Sequence, residues 1–172
     1  MKKFQFLLLD TGPIIKLFEL GLWEQFTRRC QVTISRTIMD IEALFVEREG
    51  FRDYINLNTF EKKGSISVAD VPTSSVQNLL KKTAKLQDVQ IDDGEKEILA
   101  YLLDSDQNYY ICSADAAAYR VLGYLQLGEM GVSFEEALEQ IGIKRPLEWK
   151  YKKEFREKYT KKGEADFIQR NF

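Results

Sequence analysis

Phe4-Gln5-Phe6-Leu7-Leu8-Leu9-Asp10-Thr11-Gly12-Pro13 is the stretch on which the fold turns. An apolar run of strand length that ends in a carboxylate reads as a strand buried on both faces, as in a parallel sheet enclosed by helices. Gly12-Pro13 stops the strand, and proline suits the first turn of the helix whose apolar positions are Ile14, Ile15, Leu17, Phe18 and Leu22. Asp10 is therefore expected at the carboxyl end of a central strand, the edge where open α/β sheets bind ligands.

Outward from that strand the pattern repeats. Gln31-Val32-Thr33-Ile34-Ser35 alternates and is β-branched, which predicts a second strand. Ile38, Ile41, Leu44 and Phe45 follow at helical spacing, with Thr37 as N-cap and Asp40 completing a weak capping box. Residues 46–64 are charged and aromatic and predict one or two short helices. A third strand is expected at Ser65–Asp70, then a helix capped by Ser74 or Ser75 that runs through Leu86. Asp92-Asp93-Gly94-Glu95-Lys96-Glu97 is an acidic loop feeding a helix with Ile98, Leu99 and Leu102 inward, where first-turn carboxylates suit the macrodipole. Tyr109-Tyr110-Ile111-Cys112 is the fourth strand, ended by Ser113-Ala114-Asp115 before another helix. Parallel strands joined by helical crossovers deliver Asp10 and Asp115 to the same edge. A last helix is expected from Ser133 to Ile141, ended by Gly142. The fold class is a three-layer α/β/α sandwich with a central parallel sheet of four or five strands.

Composition narrows the chemistry. The 172 residues suffice for one domain with a substantial core, expected over residues 1–143. The apolar run behind Met1-Lys2-Lys3 is too short for a signal-peptide core or a membrane span, which predicts a soluble cytoplasmic chain with no membrane partner. Cys30 and Cys112 lack metal-ligand spacing and read as buried thiols. Histidine is absent, which removes Ser-His, Cys-His and most catalytic zinc chemistry. The net charge of −2 hides an asymmetry: residues 144–172 hold ten Lys/Arg against five Asp/Glu, a +5 tail on a −7 body.

Each acid alone can be a helix cap or a dipole complement. Four acids gathered at one sheet edge without histidine would repel one another unless a divalent cation sat among them, and all-oxygen ligands suit Mg²⁺ or Mn²⁺. The succession Leu7-Leu8-Leu9-Asp10-Thr11-Gly12-Pro13-Ile14, an acid shortly after Thr33-Ile34-Ser35-Arg36-Thr37, then Asp93-Gly94-Glu95-Lys96-Glu97-Ile98-Leu99-Ala100 and Tyr110-Ile111-Cys112-Ser113-Ala114-Asp115 resembles the PIN-domain family over roughly residues 4–128.

That resemblance implies a Mg²⁺- or Mn²⁺-dependent endoribonuclease acting on single-stranded RNA, often the toxin of a toxin–antitoxin pair, with an antitoxin protein as partner and a homodimer as an open possibility. It implies Asp10, Glu42, Glu95 and Asp115 as the catalytic acids, with Asp10, Glu95 and Asp115 on the metal. Asp40 is the alternate for Glu42, and Asp93 and Glu97 are alternates for Glu95. Thr11 and Ser113 match small hydroxyl positions beside the first and fourth acids. Arg36 is a candidate substrate contact, as is Lys96. The implied reaction is in-line hydrolysis of a phosphodiester with one or two cations, about 4 Å apart if two.

In the tail, Trp149–Tyr159 interleaves aromatics and bases, a pattern for stacking on single-stranded bases and equally for an amphipathic helix packed on protein. A PIN fold without nuclease activity, serving as a binding module for nucleic acid or protein, is the alternative. An aspartic protease, suggested by Asp10-Thr11-Gly12, conflicts with the helical periodicity. A phosphatase of the Asp-X-Asp type conflicts with Gly12.

Overall fold

The computed structural model describes residues 4–42 and 45–172, and the backbone alone for residues 4–6. The expectations on residues 1–3 and on Leu44 lie outside the described residues. β1 (Phe4–Leu9) leads into α1 (Thr11–Glu19) and α2 (Trp23–Arg29). β2 (Cys30–Ser35) is followed by a π-helical turn, Ile38–Glu42. A hairpin of β3 (Phe45–Arg48) and β4 (Phe51–Tyr54) precedes α3 (Leu57–Lys62), β5 (Ile66–Ala69), α4 (Thr73–Lys82) and α5 (Asp93–Asp104). The chain continues through β6 (Tyr110–Cys112), α6 (Ala116–Tyr124), β7 (Gly131–Val132), α7 (Phe134–Gln140) and α8 (Lys153–Asn171).

Five strands form one parallel sheet in the order β5-β2-β1-β6-β7, flanked by helices as an α/β/α sandwich. β1 sits in the middle because its side chains can only be buried: Leu7, Leu8 and Leu9 have no exposed surface. Full burial of such a side chain contributes roughly 1.5–3 kcal/mol. Leu8 lies opposite Thr33 on one side and Ile111 on the other, and the Asp10 N–H carries the ladder one step further by donating to the Cys112 carbonyl at 3.0 Å. Asp10 and Ser113 thus emerge side by side at the carboxyl edge. Cys30 and Cys112 are both buried thiols.

Four local expectations need correction. The helix expected from a Ser74 or Ser75 cap through Leu86 is α4, which begins at Thr73 after Pro72 with no side-chain cap and ends at Lys82. The first helix stops at Glu19 rather than reaching Leu22, because Gly21 adopts φ +67° and a Schellman pair closes the end: Gly21 N–H donates to Phe18 and Leu22 N–H to Leu17. A second helix, α2, starts at Trp23. The helix expected through Phe45 is only the π-helical turn; Thr37 does not cap it, since the Ser35 hydroxyl receives the Ile38 N–H, and Ile41, expected inward, is 66 % exposed. The segment read as short helices is first a hairpin. Glu49 and Gly50 both adopt positive φ, +49° and +80°, the torsions of the tight turn whose twist matches paired strands. Only Leu57–Lys62 of that segment is helical.

The basic tail becomes α8, laid across α6. A Cβ on Gly123 would collide with the Thr160 carbonyl and one on Gly163 with the Arg120 carbonyl, so the two backbones are nearly in contact. At this crossing the buried Arg120 guanidinium pairs with Asp166 and, at 3.0 Å, with Asp88. Arg170 adds a 2.7 Å pair, and these cations hold the Asp88 carboxyl down at about 2. Tyr151 and Phe155 are buried, Phe155 meeting Trp149, Tyr159 and Tyr119 edge-on, and Arg156 grips Glu136 through two bonds of 2.7 and 2.8 Å. Tyr151 and Phe155 of the tail therefore pack on the body, against Phe134 and Tyr119, while Trp149 stays exposed. Among the described residues no helix is long and apolar enough to cross a membrane.

Candidate metal centre

Asp10 enters as the N-cap of α1. Its Oδ1 accepts the Thr11 N–H at 2.8 Å and its Oδ2 accepts the Ser113 hydroxyl at 2.6 Å. Ser113 is itself aligned, since its oxygen accepts the Asp115 N–H at 3.0 Å. Asp115 caps α6, its Oδ1 taking the Ala117 N–H at 2.8 Å, and it is exposed.

Glu95 comes from α5, where it forms a capping box with Asp92. Asp92 Oδ1 accepts the Glu95 N–H at 2.8 Å, and Glu95 Oε2 accepts the Asp92 N–H at 3.2 Å. Asp10, Asp92 and Glu95 each present a carboxylate oxygen within 4.8 Å of the others, so the three could hold a divalent metal ion. Three helix N-termini meet at this point, their N-caps being Asp10, Asp92 and Asp115. The first-turn N–H groups of these helices, several of them donated to the carboxylates themselves, partly offset the negative charge.

One oxygen of the centre is unsatisfied. Glu95 is 1 % exposed, and its Oε1 finds no hydrogen-bond partner within the protein. A buried carboxylate oxygen without a donor is costly unless the group is protonated or meets a cation. Burial, then the charges of Asp10, Asp115 and Asp92, push the Glu95 carboxyl up to about 10. Burial, helped by the Asp92 charge, likewise raises Asp10, to about 6, against the opposing hydrogen bonds from Ser113, Thr11 and the Glu95 carboxyl, which when protonated can donate to Asp10. At neutral pH the centre thus holds one proton, on Glu95, that a divalent ion would displace.

The other expected residues are distributed around this core. Glu42, half-buried, reaches the rim, where its Oε2 accepts the Thr11 hydroxyl at 2.8 Å and its Oε1 the Gly94 N–H at 3.0 Å. Asp40, on the same turn, is exposed to solvent. Asp93 also points to solvent and pairs with Lys96 at 3.1 Å. Glu97 accepts the Thr37 N–H and hydroxyl at 3.3 and 2.8 Å. Arg36 is engaged by Asp70 at 3.0 Å and Glu61 at 3.4 Å. Asp92 is the one member of the close trio that the sequence reading passed over. The signal was its spacing of three from Glu95, which in a capping box puts the two side chains against each other's backbone.

Comparison of the chain with family models, with curated proteins and with solved structures finds no match.

Proposed function

We propose that this protein is a metal-dependent endoribonuclease that hydrolyses phosphodiester bonds of single-stranded RNA, with Mg²⁺ or Mn²⁺ held by Asp10, Asp92 and Glu95. The observation that carries the reading is the buried Glu95 carboxylate, which has one oxygen that accepts no hydrogen bond and brings an oxygen within 4.8 Å of one from each of Asp10 and Asp92. Oxygen-only donors and the absence of histidine favour Mg²⁺ or Mn²⁺ over zinc or copper. When bound, such a cation supplies Lewis-acid stabilisation of phosphoryl charge and acidifies water.

The chain's own residues supply orientation. Thr11 N–H and Ser113 Oγ–H hold both oxygens of Asp10, each of which keeps a further lone pair for a cation. The capping box fixes one oxygen of Glu95 and spares the other. The converging N-termini of α1, α5 and α6 favour an anionic phosphodiester at a site otherwise lined by acids. Exposed Asp115, at the end of the Ser113 relay, is the acid available to water or substrate at the open side. The choice of RNA, and a pairing with an antitoxin, rest on the resemblance to PIN-domain proteins.

The test is incubation of purified protein with single-stranded RNA in Mg²⁺, in Mn²⁺ and in chelator. Cleavage is expected only with a cation and is lost in Asp10→Asn and Glu95→Gln. Cutting that persists in chelator, or in the pure Asp10→Asn protein, would overturn the assignment.

A further inference from the structure

We propose that Glu42 is a positioning residue, a carboxylate clasp that joins the first turns of α1 and α5 and so sets the separation of Asp10 and Glu95, without itself being a metal ligand. The proposal deepens the cation-site reading and rests on it for what the clasp is for.

Both Glu42 oxygens accept a hydrogen bond: one from the Thr11 hydroxyl at 2.8 Å, the other from the Gly94 N–H at 3.0 Å. Thr11 is the residue whose own N–H holds Asp10, and Gly94 directly precedes Glu95. A single side chain therefore ties together the backbones that present two members of the trio. The Gly94 N–H is one of the orphan donors of the α5 N-terminus, so a carboxylate there is favoured by the hydrogen bond and by the helix dipole.

Gly94 supplies independent support. A Cβ at this position would run into Glu42 Oε2 and lie 2.6 Å from Ile38 Cγ1 and 2.9 Å from Glu42 Cδ. Its φ is not positive, so what a Cβ would disturb here is the space held by the Glu42 and Ile38 side chains and not the backbone torsion. The missing side chain is what lets the Glu42 carboxylate lie flat on the helix backbone. The turn that carries Glu42 is gripped from the opposite direction as well: Thr37 donates its N–H and hydroxyl to Glu97, also on α5. Each element offers a carboxylate to the other's donors, so the two are tied in both directions. What separates Glu42 from the ligands is distance: among the described residues the carboxylates that bring an oxygen within 4.8 Å of one another are Asp10, Asp92 and Glu95, and Glu42 is not in that group.

Glutamine discriminates between clasp and ligand. In Glu42→Gln the carbonyl oxygen can accept the Gly94 N–H and the amide can donate to the Thr11 oxygen, so the clasp survives while the charge is lost. Two measurements are made on wild type, Glu42→Ala, Glu42→Gln and Glu95→Gln: exchange of the Gly94 amide in metal-free protein, and Mn²⁺ affinity by calorimetry. Glu42→Ala is expected to speed Gly94 exchange and weaken Mn²⁺ binding about 10- to 100-fold, as loss of a partner that orients ligands does. Glu42→Gln is expected to restore both, whereas Glu95→Gln abolishes binding. Equal loss of affinity in Glu42→Gln and Glu95→Gln would make Glu42 a ligand and overturn the proposal, as would unchanged Gly94 exchange in Glu42→Ala. If wild type bound no Mn²⁺ while Gly94 exchange responded to Glu42→Ala and recovered in Glu42→Gln, the cation reading would fall and the clasp would stand.

Discussion

Metal-free protein should lose stability as pH rises through neutrality, and Glu95 should be the reason. Its carboxyl is raised from 4.5 to about 10 by burial and neighbouring acids. Between those values the folded chain keeps a proton that the unfolded chain has released, so the contribution is fully present below pH 4.5 and erodes as pH climbs. Asp10, raised from 3.8 to about 6, adds to the erosion only up to about pH 6. Above pH 6 one proton remains in play, and one bound proton corresponds to about 1.4 kcal/mol per pH unit, or about 3 kcal/mol between pH 6 and pH 8. At this chain length that is a fall in melting temperature of roughly 6–12 °C. The window is clean because the chain contains no histidine, the side chain that ordinarily titrates there. Thermal unfolding in chelator, monitored by circular dichroism at half-unit pH intervals, gives the slope directly. Glu95→Gln, a neutral amide of the same shape, should be flat from pH 6 to pH 8. A flat wild-type profile, or an identical slope in Glu95→Gln, would refute the description of Glu95 as a buried acid held protonated.

Gly163→Ala should lower the melting temperature although alanine is the better helix former, because its methyl would strike the Arg120 carbonyl at the α6/α8 crossing. Overpacking costs about 1–3 kcal/mol, more than the roughly 1 kcal/mol gained in helix propensity, and a rise in melting temperature would show that the crossing can open freely. Ser113→Ala should weaken Mn²⁺ binding about 10-fold by freeing Asp10 Oδ2, while Asp115→Asn, which keeps the N-cap acceptor, leaves the fold intact. Calorimetry reads the first and circular dichroism the second.

The sheet was legible because its inner strands carry nothing but their own burial: Leu7-Leu8-Leu9, Val32–Ile34 and Ile111-Cys112 admit few other readings. β7 was not, since two residues hold no periodicity. The hairpin was hidden because its signal is a pair of left-handed torsions at Glu49-Gly50, not an Asn-Gly sequence, and because Phe51 and Tyr54 stay 75 % and 80 % exposed, so no alternation marks a buried face. The path of α8 depends on two glycines and a buried Arg120–Asp166 pair, more than forty residues apart, a correlation that a single sequence does not display.

At the candidate centre, Asp10 and Glu95 could be placed by topology, since one ends a strand and the other opens a helix. Asp92 could not, because an acid at a helix start is already explained as a cap. It turns out to serve as cap and neighbour at once. The role of Glu42 depended on contacts across 31 and 52 residues, which only folding brings together.

If Asp10, Asp92 and Glu95 surround one divalent cation, anomalous diffraction from Mn²⁺-soaked crystals will locate it among them. A single peak is expected with an oxygen of each of the three carboxylates at about 2.0–2.3 Å, Glu95 Oε1 among them. A map with no peak there at saturating Mn²⁺, or a peak that leaves Glu95 Oε1 without contact, would contradict that arrangement.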